Sequence, residues 1–159
     1  MYKVEWLRQP LIQGLATSAT AGADGLIRSS RSALIQVLVS HDSTDQQALL
    51  TNILNDLATV LGSNIQDDRY AIPVVDLLGF LIDSFVVPDQ SVYDAALREV
   101  FVLVQKFHFR SSSIQRLESA VKVYAALSRC TSLREDALKK LTGILLHPFP
   151  RVSSPSKQI

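Results

Sequence analysis

Few residues in this chain stand at spacings that do chemistry. His41, His108 and His147 are far apart, each at a predicted turn, and none has a second His or Cys at a metal-ligand spacing such as H-x-x-H or C-x-x-C. Asp67 and Asp68 are paired carboxylates only in the sense of being adjacent, and at a helix entry such residues usually cap or face solvent. Ser119-Ala120-Val121-Lys122 matches S-x-x-K, a nucleophile pattern, yet it falls mid-helix without companion motifs and reads as coincidence. Gly22-Ala23-Asp24-Gly25 precedes a helix but follows no strand and is not G-x-G-x-x-G, so it makes a poor phosphate cradle. Cys130 is the single cysteine, with no His or Asp near it in sequence, and reads as a buried thiol rather than a nucleophile. We therefore expect no catalytic, cofactor-binding or metal-ligating residue, and a function of binding rather than catalysis.

Arg28 and Arg69 carry two readings. They are either rungs of Asp–Arg contacts along a stack of helices or side chains aimed into a groove, where Arg often anchors an interface. Asp24 stands four residues before Arg28, the acid-before-base order that suits an i,i+4 pair, and it also complements the helix dipole at a first turn.

The whole composition sets limits on the partners. Sixteen basic against fifteen acidic residues leave a net charge of +1, which argues against a broad nucleic-acid surface. One cysteine allows no internal disulfide and gives no sign of an oxidising compartment. Near the N-terminus, Ala19-Thr20-Ala21 resembles a cleavage site, but Glu5, Arg8, Pro10 and Gln13 interrupt the apolar run a signal peptide needs. The most apolar window, residues 74–87, contains Asp76 and Asp83 and is too short to span a bilayer. The chain reads as a cytoplasmic protein that binds neither membrane nor nucleic acid.

The elements behind these residues are helices. Residues 23–40 place Leu26, Ile27, Ala33, Leu34, Val37 and Leu38 on one apolar face, with the small Ser30 inside it. Upstream, residues 1–9 form a lead-in, Pro10 fits a first turn, and Leu11, Ile12, Leu15 and Ala19 make a short face ended by Ala21-Gly22. Thr44 to Gln47 read as a capping box before Leu49, Leu50, Ile53, Leu54, Leu57, Val60 and Leu61, and Gly62 as the C-terminal cap. A helix entered at Arg69-Tyr70, with Pro73 in its first turn, is apolar nearly all round and should be sandwiched between neighbours. Ser91 to Asp94 open a helix bearing Leu97, Val100, Phe101, Val104 and Phe107. Capping boxes at Ser112 and Ser132 open two more, with stripes through Leu117, Tyr124 and Leu127 and through Ala137, Leu141 and Ile144.

Seven helices and no strand result. The second helices of successive pairs start near Asp24, Arg69 and Ser112, and another is due at Pro150, at intervals of roughly 38 to 45 residues. This is the HEAT/armadillo period, in which each pair buries its face only by stacking. We expect an all-α, HEAT/armadillo-like superhelical stack of antiparallel helix pairs. Residues 1–159 then form a single segment of three pairs plus an unpaired helix; a fourth second helix opening at Arg151 without a polar capping repeat after it leads us to expect a piece of a longer solenoid.

Three motifs add a family. Gly14-Leu15-x-x-Ser18, then Asp24, Ile27-Arg28-x-Ser30 and Leu34, resembles the C-terminal region of the tubulin-specific chaperone D (tubulin-folding cofactor D) family. Asp68-Arg69-Tyr70-Ala71-Ile72-Pro73-Val74 is similar to that family's Arg-x-x-hydrophobic-Pro-hydrophobic segment, and His147-x-Phe149-Pro150-Arg151-Val152 to its His-x-Phe-Pro segment. The family's Gly-Gly step appears here as Thr20-Ala21, with Gly22 displaced. The resemblance implies a non-enzymatic chaperone that binds β-tubulin and works with other tubulin-folding cofactors and an Arf-like small GTPase during α/β-tubulin assembly. It assigns no partner to any residue. A generic HEAT-repeat adaptor of the transport or phosphatase-scaffold type is the other reading of the same helices.

Overall fold

The computed structural model describes residues 5–20, 24–88 and 91–146, the first five of these by their backbone alone. Among the described residues there are seven α-helices and no strand: α1 (Glu5–Thr20), α2 (Asp24–Val39), α3 (Ser43–Ser63), α4 (Asp68–Phe85), α5 (Asp94–His108), α6 (Ile114–Leu127) and α7 (Arg134–Leu145). A single 3-10 turn, Ser91–Tyr93, leads into α5. The all-α stack expected from the periodicity is the fold observed. The segment from His147 onward, with the expected start near Pro150, lies outside the described residues.

Helix α4 is the centre of the molecule. Ala71, Pro73, Val74, Val75, Leu77, Leu78, Gly79, Leu81 and Ile82 are all buried, because α1, α3 and α6 all pack against it. A helix that is apolar on most of its circumference needs such neighbours on several sides. Helices α3 and α4 pack together, as do α5 and α6, while α3 lies beside α5 and α4 beside α6. First helices therefore share one layer and second helices the other.

The first pair departs from this pattern. Helix α1, not α2, lies against α4, and α2 packs on α1 and, more lightly, on α3. Covered on one side only, α2 buries just Leu34 and Leu38 of its stripe. Leu26 and Val37 remain 50% and 49% exposed, and Ala33 is exposed too. The expected series of second helices thus begins at α4.

Helix ends also moved from their expected places. Helix α1 starts at Glu5 and α4 at Asp68, so Pro10 and Pro73 are each the sixth helical residue rather than a first-turn residue. A missing N–H there costs one backbone bond, which the helix continues past. The cap of α3 is Asp42, whose Oδ1 accepts from the N–H groups of Thr44 (3.1 Å) and Asp45 (3.0 Å). Ser113, not Ser112, caps α6 by accepting from Arg116 N–H. Leu133 stands at the cap of α7 with no side-chain bond, because Ser132 instead donates its hydroxyl to Asp94 Oδ1 at 2.9 Å. Asn64 closes α3 by donating from its side-chain amide to Val60 O (2.8 Å). Gly62 faces Leu103 rather than ending the helix.

Candidate interaction surface

Two ion pairs cross from α4 to α6, and a third joins α4 to Arg129 just beyond the end of α6. Asp68 meets Arg116 near the start of both helices, Asp76 meets Lys122 midway, and Asp83 meets Arg129 at the far end. Matching order along both helices means that they run parallel, as equivalent helices of successive repeats do. The partners are 46 to 48 residues apart in sequence. A ladder of acid–base contacts between repeats therefore exists, built from residues other than the expected Arg28 and Arg69.

The rungs differ in burial and in what holds them. The Arg116 side chain is 10% exposed. Its Nε donates to Asp68 Oδ1 at 2.6 Å, another guanidinium nitrogen donates to Phe107 O at 2.6 Å, and the group lies over the Phe107 ring. This rung is structural: it ties the end of α5 and the start of α6 to α4. The Asp83–Arg129 contact, at 2.7 Å, faces solvent, and in the Asp76–Lys122 contact, at 3.4 Å, Lys122 is exposed while Asp76 is mostly covered. Exposed pairs of that kind contribute about 0–1 kcal/mol each, so their charges remain largely available to a partner.

Two hollows lie end to end along this seam and share Asp76 and Lys122. The first, about 490 Å³, has a floor of small residues at Gly79, Ala125 and Ala126, with Phe80 and Arg31 at its wall. Arg31 donates from Nε to Ala19 O at 2.9 Å, and its guanidinium sits 4.6 Å over the Phe80 ring. That one side chain joins α1, α2 and α4. The second hollow, about 440 Å³, is bordered by Arg69, Ile72, Glu118 and Ser119. Together they form a shallow trough of mixed charge with an apolar floor, which suits a polypeptide more than a small molecule.

The residues singled out by sequence are scattered rather than convergent. Arg28 is exposed, and among the described residues it forms no ion pair with Asp24. Arg69 grips its near neighbour Asp67, donating to both carboxylate oxygens at 3.2 and 3.1 Å; that hydrogen bonding holds the Asp67 carboxyl below the usual carboxylate range. Asp67 also caps α4, so the adjacent Asp67 and Asp68 have separate structural duties. Ser119 is buried, and Lys122 beside it is engaged with Asp76. His41 bonds through Nδ1 to Val37 O at 2.7 Å, closing α2. His108 is the last residue of α5 and lies 2.8 Å from the Tyr124 hydroxyl. Cys130 is buried. Among the described residues no group of three His, Cys, Asp or Glu could hold a metal ion, and no helix is long and apolar enough to cross a membrane.

Sequence reasoning missed Arg31. The signal was present: Ile27, Arg31, Leu34 and Leu38 fall on one helical face, so an arginine stands within the buried stripe.

Residues 1–116 match the family described as tubulin folding cofactor D C terminal. The chain belongs to that family. The match takes in α1 to α5 and the opening of α6, including the motifs at Gly14–Leu34 and Asp68–Val74, and stops before the His147 motif. Two of the three rungs of the ladder, those at Lys122 and Arg129, thus have their α6-side partner beyond the matched span. No curated protein and no solved structure matches the chain.

Proposed function

We propose that this chain is a non-enzymatic interaction scaffold of the tubulin-folding pathway, acting in the cytoplasm, and that the α4–α6 seam is where it holds β-tubulin during α/β-heterodimer assembly. Family membership over residues 1–116 is the observation that carries the reading. The seam supports it by offering solvent-facing acid and base in alternation above a floor of small residues, a pattern that gives orientation and partner choice more than raw affinity. Arg31 and Phe80 supply the kind of arginine–aromatic pair on which interface energy concentrates. Residues 1–159 act in this reading as one helical-repeat segment of three pairs plus α7, and other tubulin-folding cofactors and an Arf-like small GTPase are its further partners.

The test is capture of purified β-tubulin, folded with its α-subunit or released from it, by the immobilised 159-residue chain. Specific retention that weakens when Phe80→Ala is introduced supports the proposal. No retention of either form, from a chain shown by circular dichroism to be helical, contradicts it and leaves a generic helical-repeat adaptor as the better reading.

A further inference from the structure

We propose that the turn joining α5 to α6 is a second docking point, one that takes an acidic segment of a partner protein, with Phe109 as apolar anchor and Lys106, Arg110 and Lys140 supplying the charge. None of these residues lines the α4–α6 seam, so this surface is additional to the one proposed above.

Phe109 is 68% exposed, in a molecule whose other aromatic side chains along α5 and α6 are wholly or partly covered. It is the first residue beyond α5 and is fixed there by its own N–H, which bonds to Lys106 O. Val102, two turns earlier on α5, is also exposed. Such a ring in water gains nothing for the isolated chain, whereas exposed aromatics and arginines are the residues that most often anchor interfaces.

The backbone points the same way. Arg110 has φ 53°, the one positive-φ residue other than glycine among the described residues. A side chain with a Cβ adopts that conformation at a cost, and glycine is the usual occupant just after a helix. Arginine at this position places its guanidinium 5.2 Å over the Phe109 ring. The strained residue thus presents a stacked Phe–Arg unit to solvent.

Charge names the occupant. Lys106 lies one turn before Phe109, and Lys140 of α7 is near enough that its charge acts on His108. Among the described residues Lys106, Arg110 and Lys140 have no carboxylate partner, although Arg69, Arg116, Lys122, Arg129 and Lys139 each have one. Helix α5 carries two carboxylates of its own. Asp94 accepts the Ser132 hydroxyl at the far end, and Glu99 is seven residues from Lys106, about 10 Å along the helix. Lys106 and Arg110 beside one exposed ring, with Lys140 acting on the adjoining His108, suit a segment with several carboxylates and one apolar residue. These cations are too few for a nucleic-acid site, which needs a longer run of phosphate contacts and more stacking platforms.

The probe is a fluorescein-labelled peptide of glutamates around one leucine, titrated with the full chain by anisotropy at low ionic strength. A serine-for-leucine version, an all-lysine version and a single-stranded oligouridylate run alongside. The leucine peptide should bind best, with Phe109→Ser weakening it about tenfold and the pair Lys106→Glu with Lys140→Glu abolishing it. Arg110→Gly separates this role from a structural one, because it should raise thermal stability while lowering peptide affinity. Absence of acidic-peptide binding, affinity unmoved by Phe109→Ser, or tighter binding of the oligonucleotide or of a second chain would overturn the proposal.

Discussion

His108 shows how one side chain reports its surroundings. Its Nε2 sits 2.8 Å from the Tyr124 hydroxyl, with the two rings edge to face. Burial pushes the imidazole below its ordinary value, helped by the charge of Lys140. Burial also pushes the Tyr124 phenol up, so it stays neutral and shares one hydrogen bond with the imidazole, the ring's tautomer setting which of the two donates. The sign of the pH effect follows. Unfolded His108 takes up a proton near its ordinary value of about 6.5, while the folded residue resists until lower pH. The stabilisation is fully present above about pH 6.5 and is lost as the pH falls from there toward the folded value. His108→Gln should flatten the fall in thermal midpoint across that window, and an unchanged slope in the variant would place the acid sensitivity elsewhere.

At the scale of elements, burial separates helices that looked alike in sequence. Leu78 in α4 is fully buried and Leu26 in α2 is half exposed. Leu78→Ala should therefore cost about 2–5 kcal/mol and Leu26→Ala less than about 1 kcal/mol, measured by denaturant unfolding. Gly79 offers the opposite result. A Cβ built there would meet Val123 Cγ2 at 3.5 Å and Lys122 at 3.6 Å, which is ordinary contact. Gly79→Ala should stabilise the chain by about 0.5–1 kcal/mol through helix propensity alone. Helix existence was legible because apolar residues three and four apart have to be covered by something. Which side of α2 would be covered was not, since that depends on how many neighbours reach it in space. Caps were legible only to within a residue or two: Asp42 competes with Thr44, Ser113 with Ser112, and Ser132 found a better acceptor in Asp94.

Across the whole molecule, α4 and α6 lie side by side in the layer of second helices, and the ladder of Asp68, Asp76 and Asp83 against Arg116, Lys122 and Arg129 runs the length of that seam. The motifs at Gly14–Leu34 and Asp68–Val74 were enough to suggest the family, and the match over residues 1–116 includes both. The ladder itself was anticipated in kind but not in place. Its members are more than forty residues apart, and only parallel stacking of α4 on α6 brings them together.

Because the middle rung is both an internal contact and a surface feature, exchanging its charges divides the two roles. In a chain carrying Asp76→Lys together with Lys122→Glu, the ion pair re-forms with reversed polarity. The measurement is β-tubulin affinity beside unfolding free energy for the wild type, each single variant and the double variant. The double variant should regain wild-type stability while its affinity stays about tenfold or more below wild type. Affinity that returns together with stability, or that never fell in either single variant, would contradict the seam as the binding surface.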